Sequence, residues 1–65
     1  MDKDLLFYKM KRKNETIDSF CQKVGFSKSA FYRKINGKTQ FTLAEIKSMI
    51  EVLDIDNPTE IFFVK

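Results

Sequence analysis

The stretch that decides the fold runs from Thr16 to Gly37 and reads TIDSFCQKVGFSKSAFYRKING. Its first part places four apolar side chains at positions i, i+3, i+4 and i+7, which is the spacing of one face of an α-helix. They are Ile17, Phe20, Cys21 and Val24. Thr16 is a good N-cap because its hydroxyl can accept an otherwise unpaired backbone N–H, and Gly25 ends the helix because glycine tolerates the left-handed conformation.

A second helix is predicted directly after this turn, over about residues 27–36. Ser27 is its N-cap candidate, and Phe31 and Ile35 form an inward stripe four residues apart. Phe26, just before the cap, is placed to pack back on the helix as a hydrophobic staple. The pair Asn36-Gly37 ends the helix with residues that favour turns.

The spacing of Cys21, Gly25 and Phe31 is typical of a helix-turn-helix. A small residue lets two helices cross closely, and a glycine four residues later permits the positive φ of a sharp corner. An apolar residue six positions further on holds the second helix against the first. We therefore expect a helix-turn-helix over about residues 16–37.

The flanking segments predict three more helices. The first covers about residues 2–13, with Leu6 and Met10 facing inward and one of Phe7 and Tyr8 exposed. A fourth helix begins at the capping box of Thr42 and Glu45. Its expected apolar face consists of Leu43, Ile46, Met49, Ile50 and Leu53.

Pro58 is expected at the first position of a short fifth helix, because proline is favoured there. Phe62 and Phe63 follow on that helix. Two adjacent phenylalanines on one short helix cannot both face the same core, so they are candidate dimer contacts; the alternative is that both fold under the fourth helix. The whole chain is thus predicted to be all-α, a compact five-helix bundle forming one domain over residues 1–65.

Composition excludes several classes of protein. The chain has no His and one Cys, Cys21, so a His-based catalytic triad, an intramolecular disulfide and a His/Cys zinc site are excluded. Cys21 lies on the inward helix face and is expected to be a core residue rather than a redox switch. No paired-carboxylate site, glycine-rich phosphate loop or metal-ligand cluster is visible. We expect no enzyme activity, no cofactor, no metal and no small-molecule substrate.

The length of the apolar runs argues against a membrane protein. The longest runs have four residues, whereas a membrane span needs roughly 20. The first residues, Met1-Asp2-Lys3-Asp4, lack the basic region of a signal peptide. A cytoplasmic protein in a reducing environment is therefore expected.

Charge is divided unevenly along the chain, whose net charge is +3. Residues 1–40 contain ten Lys or Arg and four Asp or Glu, whereas residues 41–65 contain two and five. This asymmetry suggests a face that meets an anionic polymer, although a solvated lysine-rich surface would give the same balance.

The outward face of the third helix adds chemistry to the charge. It consists of Lys28, Ser29, Tyr32, Arg33 and Asn36, and none of these residues is acidic. Arg33 can donate two hydrogen bonds to guanine O6 and N7, and Lys28 can reach the same acceptors. Serine and asparagine can contact bases or phosphates, and the tyrosine ring can meet a thymine methyl. The alternative is an exposed helix face that is basic by accident.

Nearly the whole chain resembles the Cro/CI-type (XRE-like) helix-turn-helix regulators. The resemblance lies in residues 22–25, 27–31 and 35–39 and in a fourth helix that begins Thr42-Leu43-Ala44-Glu45-Ile46. Residues 31–43 and the segment Glu60-Ile61-Phe62-Phe63 look especially like small phage-type members from Gram-positive bacteria. The resemblance implies the lambda-repressor-like fold and sequence-specific binding of double-stranded DNA, usually as a dimer on a palindromic operator.

The resemblance also implies roles for individual residues. Lys28, Ser29 and Arg33 match positions that read base edges, and Tyr32 matches a position that contacts a base or a phosphate. The positions that match phosphate contacts are Thr16, Gln22, Asn36, Lys38 and Thr39. The helix N-termini at Thr16 and Ser27 would add backbone N–H donors for phosphate.

Two departures from the family pattern are visible. Many members have a buried Arg–Glu ion pair where this chain has Met10 and Ile35, an exchange that often leaves stability unchanged or improved. No oligomerisation domain follows within the 65 residues, which favours a Cro-like single-domain repressor of a phage or mobile element.

An alternative function remains from the sequence. An adaptor of the antirepressor or antitoxin type could keep the same fold and use Phe62, Phe63 and the aromatic residues of the first helix to bind a protein. Such an adaptor has no need of a basic third helix.

Overall fold

The computed structural model describes residues 1–63, which form five helices and no strand. The helices are α1 (Lys3–Arg12), α2 (Ile17–Val24), α3 (Lys28–Ile35), α4 (Leu43–Leu53) and α5 (Thr59–Phe62). The Cα atoms have a radius of gyration of 10.6 Å and principal extents of 26 × 25 × 20 Å. The prediction of a compact all-α fold with five helices is confirmed over the described residues.

Four of these helices begin at a side chain that accepts a hydrogen bond from the backbone three residues later, at 3.0–3.1 Å. The capping residues are Asp2, Thr16, Ser27 and Thr42. Each bond satisfies an N–H group that the first turn of a helix leaves unpaired. Glu45 completes the predicted capping box, because its Oε1 accepts from the Thr42 N–H at 2.8 Å. The predicted starts of α2, α3 and α4 are confirmed.

Two glycines end α2 and α3 as predicted. Gly25 has φ of +102°, and Gly37 has φ of +80°. Beyond Gly37, the Lys38 N–H donates to the Arg33 carbonyl at 2.9 Å, which closes the last turn of α3. At α5 the prediction is one residue off, since Pro58 precedes the helix and Thr59 is its first residue.

The core contains nine buried side chains drawn from α1 to α5 and the segment after α4. They are Leu6, Met10, Phe20, Cys21, Phe31, Met49, Leu53, Ile55 and Ile61. Leu6, Met10 and Cys21 are buried as predicted. Ile35, on the predicted inward stripe of α3, is half-buried and packs against the same core.

Leu43 contradicts its prediction. The spacing places it on the apolar face of α4, but its side chain is 79% exposed. Leu43 is the first residue of α4. No preceding helical turn therefore covers its side chain, and the capping turn holds it at the surface.

The helices pack so that α2 contacts both α3 and α4, while α1 contacts α5. The N-terminal segment is tied to α5 by a hydrogen bond from the Asp2 N–H to the Ile61 carbonyl at 2.8 Å. Of the helices within residues 1–63, none has both the length and the apolar character that a bilayer crossing requires.

Candidate nucleic-acid interface

The inner face of α3 is anchored by Phe31. Its side chain is fully buried, and three aromatic rings from outside α3 pack around it. Their centroids lie 5.8 Å (Phe20), 6.0 Å (Phe26) and 6.2 Å (Phe7) from that of Phe31. Such ring contacts add to the hydrophobic burial, so α3 is held firmly against α1, α2 and the turn. The predicted staple of Phe26 on α3 is therefore confirmed.

The outer face of α3 points to solvent. All five of its polar residues are exposed, as the spacing predicts: Lys28, Ser29, Tyr32, Arg33 and Asn36. The Tyr32 ring keeps contact with the anchor, since its centroid lies 6.0 Å from that of Phe31. The structure thus brings the four candidate base-contacting side chains together on one exposed surface.

The candidate phosphate-contacting residues are also exposed. They are Thr16, Gln22, Ser27, Asn36, Lys38 and Thr39. The hydroxyl oxygens of Thr16 and Ser27 already accept cap hydrogen bonds from backbone N–H groups. Their hydroxyl protons remain available to donate to a phosphate oxygen.

Asp18 adds an acidic group that sequence reasoning did not place near the face. Its Oδ1 lies 2.9 Å from Lys28 Nζ, and this hydrogen bond raises the pKa of Lys28. Both side chains are largely exposed, so water screens the pair and it contributes little to stability. The face of α3 itself is free of acid, as predicted, but the surface around it is not. The spacing of residues along each helix could not predict this ion pair, because it forms only where the turn brings α2 and α3 together.

Arg33 and Lys38 differ from Lys28 in their surroundings. Within residues 1–63, no carboxylate forms an ion pair with either side chain. Both remain available to bind an anion.

Lys34 was not singled out by the sequence. Its side chain is only 14% exposed, and its Nζ lies 3.1 Å from Glu45 Oε1 and 3.1 Å from the Gln40 carbonyl oxygen. Burial acts to raise the pKa of Glu45, whereas the hydrogen bonds from the Thr42 backbone and Lys34 lower it. The hydrogen bonds have the larger effect, so the pKa of Glu45 is below its ordinary value. The sequence indicated its partial burial only through its neighbour, because Lys34 directly precedes Ile35 on the inward stripe of α3.

Cys21 takes no part in this surface. It is buried in the core, and that burial raises the pKa of its thiol. In the described part of the chain, no three His, Cys, Asp or Glu side chains cluster as metal ligands would.

Phe62 and Phe63 separate in the structure, so the alternative in which both fold under α4 is wrong, while their role as dimer contacts stays a prediction. Phe62 is half-buried and packs edge-on against Phe41, with ring centroids 6.2 Å apart, whereas Phe63 is 58% exposed. A groove of about 510 Å³ lies beside them, between the end of α3, the following loop and α5. Its large apolar side chains are Met1, Ile35, Phe41, Ile46, Phe62 and Phe63.

Comparison with known proteins adds no relative to this picture. No family model matches the chain, and neither the curated proteins nor the solved structures gave a match. The functional interpretation therefore depends on the geometry of the chain itself.

Proposed function

We propose that this chain binds double-stranded DNA sequence-specifically, with α2 and α3 acting as a helix-turn-helix and α3 entering the major groove. The main support for the proposal is that α3 has a buried apolar face and an exposed basic face. Phe31 holds its inner face among three aromatic rings, while its outer face exposes two cations and no acid. A rigid helix with such a face has the dimensions and donors that the major groove accepts.

Base recognition is assigned to the exposed face. Arg33 carries a fork of donors that matches O6 and N7 of guanine, and no carboxylate within residues 1–63 occupies it. Lys28 can reach similar acceptors once it leaves Asp18. Ser29 and Tyr32 supply a hydroxyl and a ring at the same surface.

Backbone recognition is assigned to both sides of α3. On one side, the N-termini of α2 and α3 present N–H groups near the capping residues Thr16 and Ser27. On the other, Lys38 and Thr39 are exposed in the loop after α3. Phosphate contacts on both sides would fix the register of α3 in the groove.

The charge of the remaining surface is consistent with one DNA-facing side. The acidic residues Glu51, Asp54, Asp56 and Glu60 are exposed on α4, on α5 and on the segment between them. Like charges on DNA and protein repel, so these residues disfavour binding through that side.

A Cro-like repressor is the form of regulator that the family resemblance favours. Two copies on a palindromic operator would place their α3 helices about 34 Å apart, one turn of DNA. Phe63 is the remaining candidate for the contact between copies, since its ring is exposed and Phe62 is packed on Phe41. Repression would follow from occupying a promoter.

Selection of bound sites from a randomised duplex pool tests the proposal. We expect enrichment of a short motif in two symmetric half-sites, and affinity that falls steeply with salt in proportion to the phosphates contacted. A pool that stays random, together with elution from random-sequence DNA at low salt, would contradict it.

A protein-binding adaptor is the second candidate, because three large side chains outside α3 are exposed. Leu43 is 79%, Phe63 58% and Tyr8 52% exposed. An adaptor that binds through these groups should elute early from heparin, and the change Arg33→Ala should leave its partner affinity intact.

A further inference from the structure

The Lys34 side chain joins the end of α3 to the end of the loop that follows it. Its ammonium group donates to the Gln40 carbonyl and to Glu45 Oε1, each at 3.1 Å. The same nitrogen lies 5.9 Å from the ring centroids of Phe26 and Phe41. The ammonium group is therefore within cation–π range of two aromatic rings and is bound by oxygen atoms at the end of the loop.

The loop after α3 is tied at both ends, and Lys34 supplies the tie at its end. At its start, the Lys38 N–H donates to the Arg33 carbonyl at 2.9 Å. At its end, Lys34 binds the Gln40 carbonyl and the carboxylate of the α4 capping box. Lys38 and Thr39 lie between these two points and are exposed.

We propose that Lys34 is a positioning residue, which holds the loop over residues 37–41 in the shape that presents Lys38 and Thr39 to the DNA backbone. The inference rests on the proposed function for its DNA contact. Lys34 itself is too covered to be the contact, since its side chain is 14% exposed against 56% for Lys28. A loop that is already fixed loses less conformational entropy when it binds, so less of the binding free energy is spent on ordering it.

Lys34 has a second effect, through its charge, which an experiment can separate from positioning of the loop. Lys34 also neutralises Glu45, whose free carboxylate would repel a nearby phosphate. The single change Lys34→Met removes both the tether and the neutralising charge. The double change Lys34→Met with Glu45→Gln removes the tether but leaves no uncompensated charge, so it isolates the positioning role.

Two measurements test the inference. Backbone ¹⁵N relaxation of the free protein should give order parameters of about 0.85 for residues 38–41, falling below about 0.6 in Lys34→Met and in the double variant. Duplex affinity should fall about tenfold in both variants, a difference of about 1.4 kcal/mol. Lys34→Arg should keep both values, because its charge still reaches Glu45. Lys11→Met, which removes a charge from an exposed position on α1, is the matched control and should leave the loop ordered.

Three results would overturn the inference. If the loop stays ordered and DNA binding stays intact in Lys34→Met, Lys34 does not position the loop. Recovery of wild-type affinity in the double variant would assign the whole effect to charge. Absence of duplex binding by the wild-type chain would refute the proposed function and this inference with it. Should Lys34→Met fail to fold, Glu45→Ala removes one of the two oxygen atoms that Lys34 binds and keeps Lys34 itself. Unchanged loop order and affinity in that variant would equally contradict the inference.

Discussion

Arg33 and Lys38 are the two cations of the candidate interface that lack a carboxylate partner within residues 1–63. They lie on different parts of it. Arg33 is on the outer face of α3, where base edges would be, and Lys38 is in the loop that would meet the backbone. Their substitution should therefore have different consequences for sequence preference.

Changing Arg33→Ala should cost about 1–3 kcal/mol of binding free energy and relax the preference at one base position. Changing Lys38→Ala should weaken binding to all sequences alike and reduce the salt slope by about 1. Fluorescence anisotropy on the selected duplex and on single-base variants, over a range of salt, measures both. Lys11→Ala serves as the control for simple loss of charge. Identical losses on every sequence for Arg33→Ala and Lys38→Ala would contradict base reading by Arg33.

Asp18 holds Lys28 at 2.9 Å and places a negative charge beside the candidate interface. Changing Asp18→Asn should remove the charge that attracts Lys28 and should strengthen duplex binding by a few-fold, a small effect because water screens an exposed pair. Binding titrations at low salt test this.

The matched control for Asp18→Asn is Glu51→Gln, which removes an exposed charge from α4 and should leave the affinity unchanged. A weaker complex with Asp18→Asn would show instead that the carboxylate orients Lys28 toward its base.

At the level of elements, the corner between α2 and α3 depends on one glycine. Gly25 has φ of +102°, and a Cβ added there would meet no atom within 4 Å. Space is therefore no obstacle to a larger residue, and only the backbone conformation restricts the position.

Changing Gly25→Ala should lower the free energy of unfolding by about 1–2 kcal/mol, the cost of the left-handed region for a residue with a Cβ. Urea denaturation followed by circular dichroism gives the value. Gly25→Asn should lose less, because asparagine enters that region more readily. Equal stability of wild type and Gly25→Ala would show that the corner adjusts its φ without cost.

For the whole molecule, two glutamates link stability to pH. Hydrogen bonds from Lys23 and Ser19 lower the pKa of Glu15. At Glu45, burial opposes the shift, but the hydrogen bonds from Thr42 and Lys34 still leave its pKa lowered. A carboxyl group with a lowered folded pKa stabilises the fold above its unfolded pKa, and that contribution is lost as the pH falls through the folded value.

Stability should therefore be steady from pH 7 down to about 5 and decline below about 4.3, the ordinary pKa of a glutamate. Urea midpoints measured across this range test the prediction. The double variant Glu15→Gln, Glu45→Gln should be less stable at pH 7 and should show a shallower acid decline. The same decline in the double variant and in wild type would locate the acid sensitivity in other groups.

The features of the fold that were predictable from the sequence are those that depend on residues close together along the chain. A cap at Thr16, Ser27 or Thr42 needs only an oxygen and the N–H three residues later, and a stop at Gly25 needs only the absence of a Cβ. The buried stripes follow from the helical period in the same way. These features depend on neighbours in sequence, so the number of helices and the outward face of α3 were predictable.

Tertiary structure alone decided the contacts between segments. Asp18 meets Lys28 because of the angle at which α2 and α3 cross, and Lys34 meets Glu45 because the loop folds back over α3. Phe63 separates from Phe62 for the same kind of reason, since burial depends on which element covers a side chain. Spacing along one helix carries no information about the position of the next, and these features required the packed molecule.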